Sequence, residues 1–87
     1  MKHASPDTLA TLEPLLVELR AVPGLVEKKL GIFYVKSSAY LHFHEDPAGL
    51  FADVRLTGKD FNRFAVSTWP QQTALLKRVR AHRAQTA

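Results

Sequence analysis

Residues 40–56 read YLHFHEDPAGLFADVRL. Two runs rich in aromatic and β-branched residues flank Asp46-Pro47-Ala48-Gly49, which has Asp first, Pro second and Gly fourth, as a type I turn requires. The stretch therefore predicts an antiparallel hairpin. Strand side chains alternate between faces. Leu41 and Phe43 then share one face with Leu50, Ala52, Val54 and Leu56, and Tyr40, His42, His44, Phe51, Asp53 and Arg55 share the other. If Glu45 pairs with Leu50, His44 lies opposite Phe51, His42 opposite Asp53 and Tyr40 opposite Arg55. A three-residue loop with a bulge at Gly49 is the competing form; it would set Phe43 beside Asp53 and split the apolar faces. A one-residue slip turns every side chain over, so burial selects the first register.

The flanking segments supply what the apolar face must pack against. Upstream, Leu12, Leu15, Leu16, Leu19 and Val22 form a helical stripe. Ser5-Pro6-Asp7 is a start signal, and Pro14 is tolerated only in a first turn. Either Thr11 caps a helix beginning near Leu12, or a helix from Ser5 is kinked at Pro14; a short first turn followed by the main helix, ending before Pro23-Gly24, is expected. Downstream, Thr68 and Gln71 make a capping box around Pro70, and Leu75, Leu76 and Val79 form the inward stripe of a last helix. Between these helices, LVEKK reads as a weak strand, GIFYVK as a strong one, Ser37-Ser38 as a turn and FNRFAVS as the last strand. The order α-β-β-β-(β)-β-α predicts an α+β fold, an antiparallel meander of four to five strands packed on N- and C-terminal helices.

The chain has 87 residues, enough for one domain spanning 1–87, with residues 1–5 and 84–87 expected to fray. A domain this small has a thin stability margin that a dimer would widen. There is no cysteine, hence no disulfide and no thiolate metal site. MKHASPDTLATL lacks the apolar core of a signal peptide, and no apolar run reaches membrane-spanning length, so a soluble cytoplasmic protein without membrane contact is expected.

The net charge is +4; residues 1–60 hold seven Lys/Arg against eight Asp/Glu, and residues 61–87 hold five Lys/Arg and no acid. Lys77, Arg78, Arg80 and Arg83 are thus candidates for nucleic-acid contact. The favoured reading is a solvated helix face whose cations complement the helix dipole, since no stacking aromatics or glycine-rich loop accompany them.

His42 and His44, two apart on a strand, point the same way, and Asp53 lies across the hairpin. Two imidazoles and a carboxylate suit zinc or non-haem iron. Alternatively Asp53 orients His42 as a general base, and Arg55 holds a carboxylate or phosphate. The plainer reading is a polar sheet face with an ordinary cross-strand pair. If Ser37-Ser38 is a two-residue turn, Phe33 and Val35 also fall on the histidine face, which with Tyr40 and Phe51 would be too apolar to stay wet and would form a pocket or a face-to-face homodimer. No H-E-x-x-H, G-x-S-x-G, Walker loop or nucleophilic cysteine is present, and a self-contained hydrolase is not expected.

The order PGL-E…GIFYV…AYLHFH…ADVRL…F…FAVST…Q…LL resembles small bacterial domains of the luciferase-like domain family over roughly residues 12–80, through Pro23-Gly24, His42/His44 and Asp53. The resemblance implies an α+β fold and draws attention to His42 and His44; it implies no light-emitting reaction. The expectation is a non-catalytic binding or interaction module, dimeric through the uncovered sheet face, needing no cofactor. The alternatives are a small-ligand or divalent-metal site at His42, His44 and Asp53, and nucleic-acid binding through the last helix.

Overall fold

The computed structural model describes residues 2–86. The elements in chain order are β1 (Lys2–His3), α1 (Pro6–Thr11), α2 (Glu13–Arg20), β2 (Leu25–Lys29), β3 (Ile32–Val35), β4 (Ser38–Asp46), β5 (Gly49–Val54), β6 (Asn62–Ala65) and α3 (Trp69–Thr86). The fold is α+β: an antiparallel meander β2-β3-β4-β5-β6, with β1 added against β4, and helices at both ends of the chain.

Most helix signals act as the sequence predicts, but Thr11 does not cap α2, whose N-cap is Leu12 without a side-chain hydrogen bond. Ser5 caps α1 by accepting the Thr8 N–H, and Pro14 sits harmlessly in the first turn of α2. Thr68 and Gln71 form the reciprocal capping box of α3. Leu15, Leu16 and Leu19 of α2 and Leu75, Leu76 and Val79 of α3 are buried against Phe33, Leu41, Phe43, Ala52 and Val54 of the sheet. One face of the sheet is thereby covered by helices.

The central hairpin has the register that burial demanded: Glu45 pairs with Leu50, His44 with Phe51, His42 with Asp53. Gly49 is needed at its corner, with φ of 140° and the Ser67 hydroxyl so close that a Cβ would lie 2.6 Å from it. That hydroxyl accepts the Leu50 N–H at 2.9 Å and ties the hairpin to the start of α3.

Three features depart from the sequence reading. First, the β3–β4 turn is Lys36-Ser37 rather than Ser37-Ser38, with Val35 opposite Ser38 and Lys36 in the left-handed region at φ 57°. Second, Phe33 pairs with Leu41 while Tyr34 pairs with Ala39, so β4 carries one extra residue, Tyr40. This bulge places Phe33 and Val35 on the helix side, where Phe33 is fully buried and Val35 packs against the core. It also turns Tyr40 inward, buried beside Leu41, with its hydroxyl 2.8 Å from His82 Nδ1 on α3. Third, the N-terminal segment forms a short strand that the sequence reading did not include: Lys2 pairs with Glu45 and His3 with His44. At the other end α3 continues through Thr86; Ala87 lies outside the described residues.

The third departure has a simple cause. β3 pairs with β4 only over Ser38–Leu41, which leaves the Phe43–Glu45 edge of a nine-residue strand open. Unpaired strand edges recruit other backbone. Here β1 fills the gap, and Ala4 N–H donates to Phe43 O at 3.1 Å.

Candidate metal centre

β4 aims His42 and His44 at the face the helices leave uncovered, because strand side chains two apart share a face. β1 brings a third imidazole to them, since His3 lies directly opposite His44. The His3 and His44 rings have centroids 4.7 Å apart, His42 and His44 4.8 Å, and His3 and His42 5.7 Å. One ring nitrogen from each of the three lies within 4.8 Å of the other two. Nitrogens bound to one tetrahedral zinc, at Zn–N of about 2.0–2.1 Å, sit roughly 3.4 Å apart. Side-chain rotation can close that difference, and His3, which is exposed, has room to move.

Asp53, expected to be the third ligand or the partner of His42, faces His42 in backbone register but is otherwise engaged. Arg63 donates to both carboxylate oxygens, Nε to Oδ1 at 2.8 Å and a terminal nitrogen to Oδ2 at 2.9 Å. Arg63 stands opposite Asp53 on β6, so the clasp follows from strand pairing. Asp53 Oδ2 also lies 3.1 Å from His44 Nδ1, a close approach without the alignment of a hydrogen bond. The Arg63 guanidinium holds the Asp53 carboxyl below the usual carboxylate range, so it stays anionic behind the histidines.

Burial pushes the His42 and His44 pKa values down, helped in both by nearby cationic groups and opposed by the Asp53 charge. Both imidazoles are therefore neutral at neutral pH, the state in which a ring nitrogen binds metal. His42 Nδ1 is buried and has no hydrogen-bond partner among the described residues. The Phe61 ring meets His42 edge-on at 4.8 Å and closes one side of the site.

Phe51 is half-buried beside His44 in the ladder. Tyr40 faces α3, and Arg55 lies over the Phe61 ring at 4.7 Å. The C-terminal cations go separate ways: Arg78 stacks on Phe64, Arg80 pairs with Glu18 at 3.3 Å, Arg83 lies over Tyr40, and Lys77 is exposed.

His3 is the residue that sequence reasoning missed. A two-residue strand carries no periodicity, and the edge that receives it, a nine-residue β4 beside a four-residue β3, shows only in the structure. Among the described residues no helix is long and apolar enough to cross a membrane. No family model, curated protein or solved structure matches the chain.

Proposed function

We propose that the protein is a divalent-metal-binding module in which His3, His42 and His44 hold a zinc-class ion on the uncovered face of the sheet. The observation that carries this reading is the convergence of three imidazoles from two strands within 4.8 Å. Imidazole nitrogen suits zinc and related ions, and three protein ligands leave a coordination position for water or a small ligand. Asp53, clasped by Arg63, stands behind His44 as an outer carboxylate, the kind of partner that orients a ligating ring. The function assigned is binding; no reaction is assigned. This reading takes precedence over the face-to-face dimer because Phe33, Val35 and Tyr40, whose apolar area argued for that dimer, face the helices.

The test is histidine ring NMR of tag-free protein during zinc addition. His3, His42 and His44 should change together and saturate at one equivalent, with His82 unmoved. Four histidines responding weakly and alike would rule the site out.

A further inference from the structure

The bulge that turns Tyr40 toward α3 opens a second place of interest, away from the histidine cluster. A cavity of about 350 Å³ lies where the β3–β4 turn, the end of β5 and α3 meet; its lining includes Val35, Tyr40, Arg55, Gly58, His82 and Arg83. Its volume is in the range that holds a small organic molecule.

Its charge is one-sided. Arg55 and Arg83 bring two guanidinium groups, and none of the described lining residues is acidic. Arg55 Nε is buried with no hydrogen-bond acceptor among the described residues, while the flat face of the guanidinium rests on Phe61. A buried donor of a charged group without an acceptor is costly, and an anion placed against it removes that cost. The supporting side chains are held in place. The Tyr40 hydroxyl and His82 Nδ1 are 2.8 Å apart, their rings stack 5.7 Å apart at 12°, and the Arg83 guanidinium lies 5.5 Å from the Tyr40 ring centre. Tyr40 and Val35 add an apolar wall, and a Cβ at Gly58 would meet nothing within 4 Å, so the lining is open there.

We propose that this cavity binds a small organic phosphate, the phosphate against the guanidinium groups of Arg55 and Arg83, and the organic part against Tyr40 and Val35. A phosphate monoester carries a charge of about −1.5 to −2 at neutral pH, which calls for more than one cation, and guanidinium forks match its oxygens. The site shares no ligand-holding residue with the three-histidine cluster, although Phe61 touches both His42 and Arg55, so each can fail without the other.

The experiment uses the full chain, metal-free, with phenyl phosphate, benzoate and inorganic phosphate as probes at constant ionic strength. Arginine Nε–Hε and aromatic NMR signals report the contact. Phenyl phosphate should shift Arg55, Tyr40 and His82 saturably, bind tighter than inorganic phosphate or benzoate, and leave Arg78 and Arg80 unmoved. Arg55→Gln should weaken binding by about tenfold or more, the loss of one charge-assisted contact. Arg55→Lys, which keeps the charge but loses the fork, should fall between. His3→Ala should bind phenyl phosphate as the wild type does. Shifts spread evenly over Arg78 and Arg80, benzoate binding as tightly as phenyl phosphate, or a folded Arg55→Gln with unchanged affinity would overturn the assignment.

Discussion

At the scale of single residues, the site depends on which way a few side chains point, and one residue decides this. Lys36, at φ 57°, makes the β3–β4 turn one residue earlier than Ser37-Ser38 would, which moves the pairing by two and keeps the faces, whereas Tyr40 is the extra residue of the bulge that follows. The bulge sends Phe33 into the core and leaves Tyr34 on the histidine side. Phe33→Ala should therefore cost about 3–5 kcal/mol, as for other buried aromatics. Tyr34→Ala should cost about 1 kcal/mol or less, since Tyr34 is only half-buried. Urea unfolding of the two variants checks this; similar losses would mean the bulge is misplaced. The faces of Leu41, Phe43, Ala52 and Val54 were legible in the sequence because Asp46-Pro47-Ala48-Gly49 pins their register. Those of Phe33 and Val35 were not, because the bulged residue is a tyrosine, a good strand residue that carries no sequence mark of a bulge.

At the scale of elements, β1 is the unexpected part of the sheet and Glu45 is what secures it. The Glu45 carboxylate accepts the Ser5 N–H at 3.0 Å and lies 3.5 Å from Lys2 Nζ. The Thr8 hydroxyl, the Ser5 N–H and Lys2 push its pKa down to about 2. One side chain of β4 thus holds both β1 and the start of α1, and so positions His3. Glu45→Ala should leave the fold intact, speed hydrogen exchange at the Ala4 amide, and lower zinc affinity by roughly 10–100-fold, the range seen when a supporting group is removed. Unchanged Ala4 protection would show that β1 needs no such strut. This arrangement was invisible in the sequence because two residues establish neither a period nor a boundary. The helices were legible because caps and stripes are local signals.

Across the whole molecule, ionic contacts fasten α2 to the edge strand β2 and α3 to α2. Arg20 of α2 donates to Glu13 on its own helix and to Glu27 of β2, and Glu27 also accepts the Gly31 N–H at 2.8 Å. Burial acts to raise the Glu27 pKa, but the hydrogen bonds from Arg20 and Gly31 and the Arg20 charge outweigh it, and the net shift is downward. A carboxyl with a lowered folded pKa contributes stability that is complete above its unfolded value and is lost as pH falls through the folded one. Stability should therefore decline below the ordinary glutamate value of 4.5. Glu27→Gln should be less stable at pH 7 and show a shallower decline, by urea midpoints between pH 7 and pH 3. A parallel decline in both proteins would show that Glu27 contributes nothing to it.

The central claim is that His3, His42 and His44 form one metal site, and the most direct measurement is a crystal of tag-free protein grown with one equivalent of zinc, phased at the zinc absorption edge. A single anomalous peak is expected about 2.0–2.1 Å from one nitrogen of each of the three histidines. A peak bound by Asp53 in place of His3, a peak at His82, or no peak on the uncovered face would contradict it.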